Sequence, residues 1–297
     1  MKINRKEWGT RVTKCLAKTQ WRFCVAICCA ASVARGALLL QDSFNYTNGN
    51  LAGQGPWIGY GTGTPIQVQS GNLSYPGFGL SSGSELAMNA LGTNGAYSTF
   101  SSVSSGSVYC SFLLAVTGPL NNLSDGTKDF FATLGNSSGY GCALAIGLMP
   151  EGPITVTNFW MAYGSVEDVP VTSTTLSLTN THLVVMSYNF APGTDSNSCS
   201  FWLDPSSSTF GNATAPKPTS TVSANGGPPD PVNSVNEFTW MNANANLVVG
   251  DLSIGTTWAD VTPELAEAPE PASWNFAAMG LLVLFIIRGW RNRMARR

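Results

Sequence analysis

Positive charge is nearly absent from the middle of this 297-residue chain. Of its fifteen Lys and Arg residues, eight lie at or before Arg35 and five at or after Arg288, leaving only Lys128 and Lys217 between. Thirteen acids fall between Asp42 and Asp260, so that stretch carries 2 − 13 = −11, which the whole-chain value of −2 conceals. Nucleic-acid binding needs Lys and Arg clustered along one face, and this composition excludes it. Histidine is reduced to His182 and no CxxC occurs, so a zinc site has no ligand set. No spacing of acids supplies the about six to eight oxygens that calcium takes, and no cofactor is expected.

Long segments with apolar residues every third or fourth position are also missing, which excludes a helical domain. Short β-branched and aromatic runs bounded by Gly, Pro and Asn take their place. Strands are expected at residues 38–46, 66–75, 107–116, 130–134, 143–148, 158–163, 182–190, 199–203 and 247–254. Ser107 to Phe112 alternates with period two, giving one buried and one more exposed face. Leu183-Val184-Val185-Met186 is continuously apolar and suits a central strand covered on both sides. Many short strands with frequent turns predict one all-β, two-sheet antiparallel sandwich over residues 37–262. Residues 206–234 interrupt the rhythm with Pro216, Pro218, Pro228, Pro229 and Pro231, and are expected to form a long surface loop.

The two ends carry the missing charge. Lys2, Arg5, Lys6, Arg11, Lys14, Lys18 and Arg22 precede an apolar run from Phe23 to Val33. A basic start, an apolar stretch and small residues at a cleavage point define a secretory signal peptide, here residues 1–36 with cleavage between Gly36 and Ala37. Cleavage after Ala34, or an uncleaved N-terminal anchor, are the alternatives. Ile27 and Cys28, large before their following cysteines, argue against a lipoprotein. Cys15, Cys24, Cys28 and Cys29 belong to this segment, leaving Cys110, Cys142 and Cys199 in the sandwich. An odd number permits one disulfide with a thiol left over. Buried thiols in apolar strands are the alternative, and the favoured one.

At the other end, residues 274–287 contain no charge and no polar face. Arg288, Arg291, Arg293, Arg296 and Arg297 follow at once. A spanning helix usually needs about 20 apolar residues, but Arg288 can snorkel and Trp290 can sit at the interface, giving a transmembrane helix over 274–290. The arginines then stay cytoplasmic and the sandwich lies outside, joined by a linker at 263–268. Pro269-Glu270-Pro271-Ala272-Ser273-Trp274, the helix and the Arg-rich end together resemble the PEP-CTERM sorting signal of bacterial envelope proteins, here 269–297. The resemblance implies recognition by an exosortase-type membrane enzyme, which removes the tail, after a signal peptidase has acted on the N-terminus. The expected location is the inner membrane, transiently or stably, and then the cell envelope or exterior.

The sandwich carries a second resemblance. Asp42-Ser43-Phe44-Asn45-Tyr46, Gly49 to Gln54, His182 to Tyr188, Phe201 to Pro205 and Val249 to Val261 together resemble exported concanavalin A-like (LamG-type) jelly rolls that bear this same tail. The resemblance implies about twelve to fourteen strands in two curved antiparallel sheets.

Three functions compete. Retaining glycosidases of the concanavalin A-like fold need two carboxylates about 5–5.5 Å apart. Their Glu-x-Asp-x-x-Glu cluster is absent; Glu167 and Asp168 are adjacent and marked as loop by Val169-Pro170, and Asp125 and Asp129 flank a turn. His182 begins an apolar strand, as a strand-edge residue and not a general base. Polysaccharide binding has aromatic candidates in Trp57, Trp160, Trp202, Trp240 and Trp258, and polar ones in Asn242, Asn244 and Asn246. Trp160, Trp202 and Trp258 lie in or beside strand patterns that would bury them. With no catalytic set, the leading expectation is a structural or matrix-associated envelope protein, with a lectin-like protein as the alternative.

Overall fold

The computed structural model describes residues 36–79, 83–88, 94–118, 128–151, 154–163, 166–170, 180–192, 197–223, 232–242 and 245–265. Pro269, Glu270, Pro271, the apolar span 274–290 and the five terminal arginines lie outside the described residues, as does the signal segment up to Arg35. Gly36 and Ala37 come directly before the first strand. Among the described residues no helix is long and apolar enough to cross a membrane.

The strands are β1 (Leu38–Asp42), β2 (Gly49–Asn50), β3 (Ile58–Tyr60), β4 (Gln67–Ser70), β5 (Ser84–Met88) and β6 (Gly95–Val103). There follow β7 (Ser107–Val116), β8 (Lys128–Asn136), β9 (Gly139–Glu151), β10 (Ile154–Tyr163) and β11 (Val166–Pro170). The chain continues through β12 (Thr181–Asn189), β13 (Ser198–Leu203), β14 (Ser220–Ser223), β15 (Val235–Met241), β16 (Leu247–Gly255) and a short helix, α1 (Trp258–Val261). They form two antiparallel sheets. One runs β14-β13-β12-β7-β16-β5-β4-β2, with β1 sharing a flank of β16; the other runs β11-β10-β9-β8-β15-β6-β3.

Strand β12 shows why the sequence chooses this architecture. Val184, Met186 and Tyr188 point into the core between the sheets. Leu183 and Val185 point the other way, into a second cluster with Phe78, Trp202, Phe210, Trp258 and Val261. A strand apolar on both faces needs cover on both, and the 73–78, 205–219 and α1 segments supply the second layer. Fully burying one such side chain contributes about 1.5–3 kcal/mol. The helix is held by a capping box: Thr257 Oγ1 accepts from Asp260 N at 3.3 Å, and Asp260 Oδ2 accepts from Thr257 N at 2.9 Å. Trp258 Nε1 then donates to the Thr209 carbonyl at 2.8 Å.

The opening motif organises a turn. Strand β1 stops at Asp42, short of the expected residue 46, because its carboxylate takes over the local donors. Asp42 Oδ1 accepts from Phe44 N at 2.7 Å, with Phe44 in the left-handed region at φ 55°. Asp42 Oδ2 accepts from Tyr46 Oη and from Trp57 Nε1, each at 2.7 Å. Gly55, at φ 53°, passes so close under Tyr46 that a Cβ there would strike the phenol.

Three expectations need correction. The 206–234 segment is not one structureless loop. Ser207–Thr209 make a 3-10 turn, Trp202 Nε1 donates to Pro216 O at 2.9 Å, and Ser220–Ser223 pair with β13 as an edge strand. The prolines of this segment lie outside the strand and leave its ladder intact. Residues 263–265, expected as linker, belong to the fold: Gly79 N donates to Pro263 O at 2.9 Å, and Glu264 bridges Phe78. Glu167 and Asp168 lie on β11 instead of a loop, since a proline at the end of an edge strand leaves its ladder intact.

Candidate functional site

One face of the seven-stranded sheet is turned away from the core. Phe238 and Trp240 on β15 face inward, so the alternating residues Glu237, Thr239 and Met241 face outward. Cross-strand register carries the same face over the sheet. Glu237 stands opposite Thr99 and Gly135, Thr239 opposite Tyr97 and Thr133, and Met241 opposite Gly95. Further along come Ala143 and Ala145, which face Thr133 and Phe130, and Trp160, which faces Ala145. On the far edge, Ile58 pairs with Tyr97, and Tyr60 with Gly95.

The relief of this face follows from side-chain size. Thr133, Thr239, Ala143 and Ala145 are buried. Tyr60, Tyr97, Phe130, Trp160 and Met241 stand half-buried around them, and Ile58 and Tyr140 are 52% and 45% exposed. This face therefore carries small buried residues flanked by a rim of larger aromatic ones. The rings of Tyr60 and Tyr97 lie 6.4 Å apart, and the Tyr140 hydroxyl reaches Met241 Sδ at 3.8 Å. The ammonium of Lys128, one of the two central cations, sits 4.6 Å from the centre of the Trp160 ring.

Polar chemistry lies within the same rim. Burial pushes the Glu237 carboxyl up, against a lowering hydrogen bond from Thr239 Oγ1 at 3.3 Å. Burial, then the neighbouring Tyr140 and Glu237, raise the Tyr60 phenol above its ordinary range. The Tyr60 hydroxyl and Trp160 Nε1 are buried and have no hydrogen-bond partner among the described residues.

The structure scatters the other expected ligand-binding residues. Trp57, Trp202, Trp240 and Trp258 are buried. Of the five candidate tryptophans, only Trp160 reaches the open face. Asn242 is not on an exposed strand edge; it is buried, and its Nδ2 donates to Thr64 O at 2.6 Å. Asp125 and Asn244 lie outside the described residues. The tyrosines of the rim were missed by the sequence reading, which weighed only tryptophan; the alternation Tyr97-Ser98-Thr99 was the available signal.

His182 is a structural pin. It is the second residue of β12, buried, with Nδ1 2.6 Å from Asp204 Oδ2. Asp204, at φ 49°, also accepts from Leu183 N through Oδ1 at 3.0 Å, while its own N–H donates to the Leu183 carbonyl at 2.9 Å. The pair locks the end of the β12–β13 ladder beside a cleft of about 490 Å³ that Tyr75 also lines. Burial first, and then Asp204, push the Tyr75 phenol up to about 12.

A smaller cleft of about 230 Å³ lies between Asp42, Ser43 and Asp251. Asp251 occupies a bulge where the β16–β7 register shifts, at φ 51°, and is 4% exposed. Burial alone pushes its carboxyl up to about 6. Among the described residues no three His, Cys, Asp or Glu side chains converge on a metal-sized point.

No family model and no curated protein matches this chain. Among solved structures it is similar to the CBM2 module of the evolved Dit of Lactobacillus casei BL23 phage J-1, at 12% identity over 76% of this chain and 98% of that one, TM-score 0.42. It is also similar to the carbohydrate recognition domain of Emp47p, at 10% identity over 76% and 98%, TM-score 0.39. A third similarity is to a beta-1,3-glucanase from Mycobacterium marinum, at 15% identity over 74% and 99%, TM-score 0.38.

Proposed function

We propose that this chain is an exported, envelope-sorted protein of concanavalin A-like type whose sandwich binds polysaccharide without cleaving it. The observation that carries the reading is the outward face of the seven-stranded sheet, where Tyr60, Tyr97, Tyr140 and Trp160 flank small residues, with Tyr140 45% exposed. Aromatic rings present apolar faces to the C–H side of a sugar, and hydroxyl, indole N–H and carboxylate groups meet its hydroxyls. Glu237 supplies a carboxylate suited to accepting sugar hydroxyls.

Export and sorting rest on the two ends of the sequence: the basic and apolar start before Ala37, and Pro269-Glu270-Pro271 before the apolar span and arginines. A signal peptidase and an exosortase-type enzyme are the partners this reading requires. A glycan array probed with the purified protein tests the binding claim, and failure to retain any polysaccharide would return the chain to a purely structural role. Mass spectrometry of the mature envelope protein tests the sorting claim. A mature chain ending before Arg288 supports tail removal; one that still ends at Arg297 is a permanently anchored protein.

A further inference from the structure

Three cysteines of the sandwich lie in its central core: Cys110 on β7, Cys142 on β9 and Cys199 on β13. Cys110 and Cys199 belong to the nine-stranded sheet and Cys142 to the facing one. The Cys199 sulfur reaches across the interface, 3.4 Å from the carbonyl oxygen of Gly141 and 3.9 Å from that of Ala162. Gly141 precedes Cys142, and Ala162 precedes Tyr163, the cross-strand partner of Cys142. In the structure Cys142 and Cys199 are both free, buried thiols. A second contact beside them fixes the same registry. Tyr163, paired with Cys142, stacks on Tyr188, paired with Cys199, with centroids 6.0 Å apart and planes 3° from parallel.

Cys110 and Cys199 cannot be the bonded pair. Strand β12 separates them, with Cys110 opposite Met186 and Cys199 opposite Tyr188. Two strand spacings are about 9–10 Å, beyond the about 7 Å between Cα atoms that a disulfide tolerates. The sulfur that reaches across to the Cys142 strand is that of Cys199.

We propose that Cys142 and Cys199 are joined by a disulfide between the two sheets, formed as the chain folds in an oxidising compartment, with Cys110 left as a thiol. The timing follows from burial: all three sulfurs are inaccessible in the finished sandwich, and burial raises the Cys110 and Cys199 thiols, so the folded protein is inert to oxidants. The oxidant is a disulfide of a thiol-oxidising protein or small molecule. One cysteine thiolate attacks it to give a mixed disulfide, and the second displaces the remaining sulfur. Two protons and two electrons leave Cys142 and Cys199, and the oxidant departs as two thiols. Oxidation in the cell rests on the export reading; the pairing itself does not.

The test separates the two. The full chain is unfolded in guanidinium, refolded into detergent with oxidised and reduced glutathione, and alkylated under denaturing conditions. A chymotryptic map then assigns the cysteines, because Lys128 and Lys217 alone give trypsin too few sites. The expected product is a Cys142–Cys199 peptide pair, two hydrogens lighter than the dithiol, with Cys110 alkylated and the pair unchanged in Cys110→Ala. Reduction should lower the urea midpoint of the wild type and leave that of Cys199→Ser unmoved. Alkylation of both Cys142 and Cys199, or a bond from either to Cys110, overturns the proposal. Chain recovered from the envelope with both thiols alkylated overturns it as well. Chain that bonds on refolding but is found reduced in the cytoplasm refutes export and leaves the pairing standing.

Discussion

Replacing Asp251 with asparagine should stabilise the sandwich at neutral pH and change little at pH 4. The residue sits at a left-handed bulge in β16, 4% exposed, and burial pushes its carboxyl from 3.8 to about 6. A raised carboxylate pKa means the folded chain holds its proton more tightly than the unfolded one. Stability is therefore greatest below pH 3.8 and is lost as pH rises through 6. At about 1.4 kcal/mol per pH unit, the interval between 3.8 and 6 corresponds to an upper value of about 3 kcal/mol. The adjoining cleft admits water to the carboxylate, which reduces the expected cost to about 1–2 kcal/mol at pH 7. Asparagine keeps the shape and removes the charge. Urea denaturation of both proteins at pH 4, 5 and 7 checks this, with the difference between them as readout so that other titrating groups cancel. A difference that stays flat over that range refutes the reasoning. An asparagine variant less stable at pH 7 would also refute it, and would mean that the carboxylate has a favourable partner in the folded protein.

Other changes separate architectural residues from the open face. Asp42→Ala removes an acceptor from Phe44 N, Tyr46 Oη and Trp57 Nε1 at once, and should cost about 3 kcal/mol by the urea midpoint. Trp258→Ala empties the second core cluster and should cost about 3–5 kcal/mol in the same assay. Asp260→Ala breaks the capping box of α1 at about 1 kcal/mol, and amide hydrogen exchange at residues 257–262 should rise before global stability falls far.

Much of the nine-stranded sheet was legible in the sequence, because its central strands are apolar on both faces. Leu183 to Met186 read as a covered strand and residues 247–254 as a strand, and each proves to be interior. β15 was not legible: Val-Asn-Glu-Phe-Thr-Trp-Met alternates, but it lies among asparagines and glycines that read as turn. Proline counts misled at Ser220–Ser223, where the prolines lie outside the strand that pairs with β13. The aromatic face escaped for a different reason. Tyr60, Tyr97, Tyr140 and Trp160 are distant in sequence and meet only through the register of six strands. Pairing order across a sheet is long-range information that local periodicity does not contain. The cysteine pair is hidden in the same way, since three equal-looking thiols differ only in the strand each occupies and what it faces.

The measurement that tests the central claim most directly compares wild type with Tyr97→Ala and Trp160→Ala on a polysaccharide retained by the wild type, with Trp202→Phe in the second core as the control. Each rim substitution should weaken retention about tenfold, which corresponds to about 1.4 kcal/mol, while thermal unfolding shifts little. The Trp202→Phe protein should bind as the wild type does. Undiminished retention by both rim variants would contradict the assignment of the seven-stranded face as the binding surface.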